Sequence, residues 1–309
     1  MGMEKRYHAR NLMDFFTTFT SEDACELHFI QTRWPEGMPC SKCGKKEFYP
    51  RLKNRRAYQC KVCKSFVRPT AGTIFHRTRT SLQCWFVALF LVAFDKRGMS
   101  ALLLSEELGI NYETAWAMLG RMRQAMAKRD ASYKLSGYVE VDEMFIGSTS
   151  EETKRGRGTE KTPVLVAVSY TPIAGKGEVT GFAKLQAVTE VTKESVTAFV
   201  KAKVEPGSTI RTDGLPVYPT LEREGFIHDR QPIKKRKAHL VLPHVHTFIS
   251  NLRSFVQGTH HGLAETHLQQ YLDEFCYRFN RRRRRTELFD RLLRACLEKE
   301  ETPLSALTH

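Results

Sequence analysis

No run of this 309-residue sequence is long and apolar enough to cross a bilayer. The most apolar stretch, Leu82 to Phe94, has 13 residues, against about 20 for a spanning helix. The first residues have no apolar segment after their charged start, so no signal peptide is expected. An amphipathic basic helix and a lipidation signal are also missing, which weighs against a membrane as partner. Acids are in short supply: 34 Asp and Glu stand against 49 Lys and Arg, a formal charge of +15. Such an excess favours polyanions, of which nucleic acid is the commonest. No convincing Ser/His or Tyr nucleophile pattern is present, so chemistry without a covalent protein intermediate is expected. A disulfide framework is missing too. Of eight cysteines, Cys25, Cys84, Cys276 and Cys296 are scattered and the rest follow a metal-type spacing, a usage that suits a reducing cytoplasm.

What is present includes enough apolar residues, 41%, for packed cores, in a chain long enough for two or three domains. The stretch that organises it is Gly137 to Gly147, read as a short strand with an acid inside. Val139, Val141 and Phe145 alternate with Tyr138, Glu140, Asp142 and Met144. An acid in an apolar strand costs desolvation unless something pairs with it. A divalent cation is one such partner; a solvated strand end is the bland alternative. A second strand reaches an acid at Asp213, in Ser208 to Gly214. The expectation is that Asp142 and Asp213 meet around metal ions and that DNA is held against them.

Taken in order, residues 11–33 read as helical, with Ser21 as a cap before Glu22 and Asp23. Cys40-x2-Cys43 and Cys60-x2-Cys63 follow, 16 residues apart. Four thiolates in that spacing close a tetrahedron around structural zinc and leave no open position for substrate. Lys42 to Arg68 holds ten Lys/Arg and one acid, Glu47, either a DNA-facing surface or a solvated one. Residues 80–129 read as three helices, capped by Ser81, Ser100 and Asn111 and broken at Gly98 and Gly109. They suit a helix-turn-helix with Arg121 and Arg123 on the reading helix, or an ordinary helical linker domain. Strands are expected at 138–146, 163–170 and 179–188, then a helix at 193–204 and the strand ending at Asp213, a mixed α/β layer. Lys154 to Lys161 reads as a basic hairpin loop. The run Lys234-Lys235-Arg236-Lys237 and the arginines from Arg281 to Arg285 are candidate phosphate contacts or solvated ends. Between them lies a helix with Phe248, Ile249, Leu252, Phe255 and Val256 as its apolar stripe, and Asn251 about 100° from the stripe's centre. His246, His260 and His261 are candidates to contact a scissile phosphate.

These motifs together resemble transposases of the IS1595 family, the group that includes ISXO2-like elements. The resemblance rests on the four cysteines, Gly72-Thr73-Ile74-Phe75, Glu107-Leu108-Gly109-Ile110, Val139-Glu140-Val141-Asp142-Glu143 and Thr212-Asp213-Gly214. It continues through Ile249-Ser250-Asn251-Leu252, Gly258 to Gly262, and Phe279-Asn280-Arg281-Arg282. It implies an α/β fold: an RNase H-like catalytic domain preceded by a zinc ribbon and a helix-turn-helix-like helical domain. The domains would be 1–75 (N-terminal helix and zinc ribbon), 76–133 (helical, DNA-binding), 134–285 (catalytic) and 286–309 (helical tail). The implied activity is cut-and-join DNA transposition, with Asp142 and Asp213 as the first two catalytic acids and Mg²⁺ or Mn²⁺ as cofactor beside the structural Zn²⁺. Asn251 stands where such enzymes usually carry a Glu; its amide oxygen can ligate Mg²⁺ but brings no charge. Glu140 shares the strand face of Asp142 and is a supplementary candidate, and Asp273 and Glu274 are alternative acids. The implied partners are the element's terminal inverted repeats and target DNA, bound by a homo-oligomer, with no membrane, in the nucleoid-associated cytoplasm. The rival readings are a catalytically inactive, domesticated relative that regulates through DNA binding, and a plain nuclease.

Overall fold

Helices in this chain begin where a short polar side chain can take up their free backbone N–H groups. Asn11 accepts from the Asp14 amide and opens α1 (Leu12–Thr18); Ser21 accepts from the Ala24 amide and opens α2 (Glu22–Arg33). The computed structural model describes residues 11–51, 56–147, 161–175, 177–214, 216, 218–231, 238–260 and 263–298. The chain divides into two units, Met1–Ala125 with Arg284–His309, and Met126–Arg283.

In the first unit, α1 and α2 precede a small hairpin in which β1 (Tyr58–Gln59) pairs antiparallel with β2 (Phe66–Val67). Then come α3 (Leu82–Phe94), α4 (Ala101–Leu108) and α5 (Tyr112–Ala131), within which the division falls. Ser81 and Ser100 cap α3 and α4, and Gly109 ends α4 at φ 60° in the left-handed region. Asn111 accepts from the Thr114 amide at the start of α5. These are the starts and stops that the sequence predicts. Trp85, Phe86, Leu89 and Phe90 of α3 are all buried, as a helix apolar on every side must be. The C-terminal helix Leu288–Leu297 belongs to the same unit rather than forming a tail of its own. Its Phe289 is 2% exposed and lies against Phe15, Phe19 and Phe86, with ring centroids 5.7, 5.3 and 5.4 Å away.

The second unit is built on one sheet. β3 (Tyr138–Ile146), β4 (Thr162–Ile173) and β5 (Gly177–Ala187) form an antiparallel meander; α6 (Lys193–Lys203) then crosses to β6 (Thr209–Thr212), and β7 (Ile227–Arg230) follows. The strand order is β5-β4-β3-β6-β7, with β3–β6 and β6–β7 parallel. β7 is not foreseen from the sequence. α7 (Ala238–Val241), α8 (Pro243–Thr259) and α9 (Glu265–Arg281) complete the unit, and the C-terminal helix is α10. Val139 and Val141 of β3 face Val196, Phe199 and Val200 of α6. Met144 and Ile146 face the opposite way, into the apolar stripes of α8 and α9. Helices on both faces explain why Val164 to Val168 of β4 are buried without a break. Three antiparallel strands extended by two parallel ones give a mixed α/β, RNase H-like fold, joined to an N-terminal four-cysteine ribbon. Among the described residues no helix is long and apolar enough to cross a membrane.

Phe289→Ala should lower the stability of the first unit by about 3–5 kcal/mol and leave the transition of the sheet unit in place. Urea unfolding followed by tryptophan fluorescence, which reports Trp85 in the first unit, checks this against far-ultraviolet circular dichroism.

Candidate functional site

Parallel pairing decides where the two aspartates fall. Tyr138 lies opposite Thr209, Val139 opposite Ile210 and Glu140 opposite Arg211. Carried two residues on, this register sets Asp142, in the middle of β3, level with Asp213, just past the end of β6. β6 stops at Thr212, and Gly214, at φ 79°, turns the chain away immediately after the acid, a backbone angle that favours glycine. The Asp142 carboxylate is 14% exposed and accepts a 2.9 Å hydrogen bond from the Glu143 amide. Burial first, then the charges of Glu143, Asp213 and Glu140, push its pKa up to about 7. A buried carboxyl that faces other carboxylates is stabilised in its ionised form by a cation, so the donor set fits a divalent ion. Among the described residues, two sets of three or more donors have their ligand atoms within 4.8 Å of one another: the four cysteines, and Glu140 with Glu178 and His244. Asp142 and Asp213 belong to neither. Two carboxylates at the level where β6 stops suit the shared ligands of a two-ion site.

α8 supplies the wall next to Asp142. His246 Nε2 lies 3.8 Å from Asp142 Oδ2. Asn251, five residues on, leaves the helix about 140° away from His246 and about 7.5 Å further along the axis. The two residues flank the buried stripe of Val245, Phe248, Ile249 and Leu252 on opposite sides. The side that carries His246 continues through Ser250 and Arg253, both exposed. The geometry therefore brings His246 to the first aspartate, where the sequence points to Asn251. His260 is 7% exposed and packs against Phe255 and Tyr271, so it supports the helix; His261 lies outside the described residues.

Glu140 shares the face of Asp142 and is fully buried. One oxygen accepts from the Val245 amide at 2.8 Å, which ties the first turn of α8 to β3. Arg211 comes within 3.8 Å of its other oxygen, 3.6 Å of Glu178 and 3.0 Å of Asp229. His244 bonds Glu178 at 3.0 Å and Thr180 at 2.8 Å, and stacks on Tyr170. A guanidinium already sits among the acids of this set, so it reads as an ion-pair network, with Glu140 an anchor for α8 rather than a metal ligand. Of the alternative acids, Glu274 is 1% exposed and pairs with Arg278, and Asp273 accepts from Gln269.

The ribbon brings its four cysteines together. Cys40 and Cys63 sulfurs are 3.5 Å apart and Cys43 and Cys60 sulfurs 3.7 Å apart. Four sulfurs bonded to one zinc at about 2.3 Å stand roughly 3.8 Å from one another, so the set fits a structural zinc. The Ser65 hydroxyl, then the amides of Cys43 and Lys42, hold the Cys40 thiol down to about 6. Against the Lys45 amide, desolvation and the other three cysteines push the Cys43 thiol up to about 12, so the four sulfurs share protons that a bound metal would displace. Around this knuckle Lys42, Lys45, Lys46, Lys61, Lys64 and Arg68 are exposed. Tyr49 and Phe66 are 40% and 45% exposed among them, with the Lys64 ammonium 4.8 Å from the Tyr49 ring centre.

The arginines singled out for DNA are placed differently. Arg123 is 4% exposed and donates to the Met99 carbonyl; Arg121 donates to the Ile74 carbonyl. Arg281 is paired with Asp130 at 2.7 Å, and Arg282 donates to the Gly181, Phe279 and Thr180 carbonyls. Beside them Asn280 bonds both backbone groups of Ala183 as well as Asp130 and Tyr133. A count of positive charges reads these residues as free cations; their partners make them supports of the fold. Lys234 to Lys237 and Lys154 to Glu160 lie outside the described residues.

Comparison with known proteins supplies the family. Residues 134–280 match the ISXO2-like transposase domain, and residues 20–65 match the transposase zinc-ribbon domain. An uncharacterized protein in transposable element ISH50 of Halobacterium salinarum is 26% identical over 283 residues, covering 84% of this chain and 90% of that protein. Two solved structures overlap more loosely. The Mos1 transposase paired-end complex with left transposon end has 12% identity and a TM-score of 0.29, over 70% of this chain and 80% of that one. The Mos1 strand transfer complex has 14% identity and a TM-score of 0.30, over 70% and 79%. The strand order β5-β4-β3-β6-β7 carries the fold by itself.

Two outcomes are expected from the site. Asp142 has an ordinary pKa of 3.8 in the unfolded chain and about 7 in the fold, so folding favours its protonated form. That contribution is complete below about pH 4 and is lost as pH rises through about 7. Without added divalent ions, Asp142→Asn should therefore stabilise the sheet unit at pH 8, by on the order of 2 kcal/mol, and have no such effect at pH 4. Thermal melts at the two pH values check both arms. Cys60→Ser should lose the bound zinc, one ion per chain by elemental analysis of the wild type, while the sheet unit keeps its melting transition.

Proposed function

Because the chain belongs to the ISXO2-like transposase family, we propose that it cuts the ends of an insertion sequence and joins the freed 3′-OH ends to target DNA. The observation that carries this reading is the shared level of Asp142 and Asp213 on two neighbouring parallel strands. These two side chains would hold Mg²⁺ or Mn²⁺, with a third group from α8. When bound, the ions supply Lewis-acid activation of the attacking oxygen and neutralise charge on the leaving 3′ oxygen. The chain's own groups do the rest. Asp142 is held rigid by burial and by the Glu143 amide. Glu140, two residues away, fixes α8 against the strand through the Val245 amide, so the wall of the pocket is set before substrate arrives. Arg253, exposed on the His246 side of α8, suits a phosphate approaching the carboxylates. Water and a 3′-OH are the nucleophiles in turn, and no protein side chain has to form a bond to DNA.

DNA is gripped by residues other than those that carry the chemistry. The exposed lysines of the ribbon, with Tyr49 and Phe66 between them, combine phosphate neutralisation with aromatic contact. The partners are the element's terminal inverted repeats and target DNA, engaged by an oligomer on paired ends, with the run Lys234 to Lys237 as a further phosphate contact. The helical segment α3–α5 joins this grip as a helix-turn-helix, without Arg123, which its burial removes from the reading face.

Asp142→Asn and Asp213→Asn should each reduce Mg²⁺-dependent end cleavage by at least about a thousandfold and change end binding less than about threefold. A labelled terminal-repeat duplex, assayed for nicking and by mobility shift, measures both, and pre-cut ends with a target plasmid test joining. Near wild-type cleavage by both variants would remove the assignment. Cleavage without joining would leave a nuclease, and binding alone a DNA-binding regulator.

A further inference from the structure

The pocket needs a third ligand, and two residues of α8 compete for the role. Asn251 has an amide oxygen at the position where an acid is usual. His246 has an imidazole whose Nε2 stands 3.8 Å from Asp142 Oδ2. Two ligand atoms on one ion, with bonds of about 2.1 Å, lie roughly 3 Å apart when adjacent and roughly 4.2 Å apart when opposite. The observed separation falls inside that interval, so both groups reach a common ion with small side-chain movement. Asn251 leaves the helix about 140° away, on the far side of the buried stripe. To bring it to the same point α8 would have to roll, and three contacts prevent that. Val245 gives its amide to Glu140 at 2.8 Å. His244 is held by Glu178 and Thr180 and stacked on Tyr170. Phe248 packs on Phe275 and Phe279 of α9. The residues before and after His246 are thus fixed by partners on the strands and on α9, which is what a preorganised ligand requires.

We propose that His246, and not Asn251, is the third metal-binding residue of the Asp142–Asp213 pocket, and that it makes the site prefer a cation that accepts imidazole nitrogen, Mn²⁺ over Mg²⁺. This rests on the reading of that pocket as the catalytic metal site. The preference follows from ligand type: carboxylate and water oxygens suit Mg²⁺ and Mn²⁺ alike, whereas a nitrogen donor favours the later divalent metals. A His for an acid also removes one negative charge beside Asp142 and Asp213, which lowers the repulsion between acids when the ions are absent. The cost is weaker binding of Mg²⁺.

The test reads metal binding and not turnover. Mn²⁺ is titrated into the zinc-loaded full chain without DNA, and the bound ion is examined by electron spin-echo spectroscopy for a directly coordinated nitrogen. Wild type should show one imidazole nitrogen and bind Mn²⁺ at least about tenfold more tightly than Mg²⁺. His246→Gln should lose the nitrogen signal and weaken Mn²⁺ about tenfold. His246→Glu should bind Mg²⁺ more tightly than wild type, and Asn251→Ala should leave both metals unchanged. Matching melts of the metal-free variants and wild type keep misfolding from imitating these effects. A nitrogen signal that survives His246→Gln, or a loss of Mn²⁺ affinity in Asn251→Ala, overturns the assignment. Asp142→Asn separates the two levels. If it also fails to weaken Mn²⁺, the catalytic-site reading falls; if it weakens Mn²⁺ while His246→Gln does not, only the His246 assignment falls.

Discussion

Everything at the site depends on one backbone pairing, the parallel contact of β3 with β6. It brings together two acids that are 71 positions apart in the chain (213 − 142), and it needs a crossover to do so, which α6 provides. Parallel pairing also sets both acids at one level, where β6 stops while β3 runs on to Ile146. Strand side chains repeat every second residue, so a slip of one position would send Asp142 to the α6 face. Apolar contacts on both sides forbid that slip: Val139 and Val141 are buried against α6, and Met144 and Ile146 against α8 and α9.

Neighbouring acids on the same strand face are treated in opposite ways. Glu140 has Arg211 3.8 Å away and a backbone amide on one carboxylate oxygen, so its charge is answered in part from within, while burial still raises its pKa. Asp142, two residues on, is under the charges of Glu143 and Asp213 and has His246 as its near basic neighbour. Compensation at Glu140 makes the wall stiff; its shortage at Asp142 is what a cation satisfies. Arg211 pairs opposite Glu140 in the β3–β6 register, so the pairing that aligns the aspartates also brings the cation that neutralises the anchor.

Much of this was legible in the sequence, and the part that was not has physical reasons. An acid inside an apolar strand, cysteine pairs at ribbon spacing and serines before apolar runs are local signals, and they located Asp142, the four thiols and the starts of α2, α3 and α4. β7 escaped because it is four residues long and contains His228, Asp229 and Arg230, so it has no alternation to read. Asn251 and His246 both lie at the border of the α8 stripe. Periodicity gives the angle from the stripe, not which border the sheet edge will meet. Arg123, Arg281 and Arg282 look like surface charges until their carbonyl and carboxylate partners, drawn from distant segments, are in view. The place of α10 was hidden for the same reason: its contacts are with Phe15, Phe19 and Phe86, some 200 residues or more earlier.

That last contact has a bearing on how the protein is made. The unit carrying the ribbon is discontinuous, since its core includes Phe289 from a helix translated after the whole catalytic sheet. Chains emerge from the ribosome amino end first, and early segments generally fold first. Here the early segment lacks its own plug, so a nascent chain can complete its catalytic sheet before the aromatic pocket of Phe15, Phe19 and Phe86 is filled. Prematurely terminated products would carry the ribbon on an unfinished scaffold, since Phe289 arrives only with the last helix.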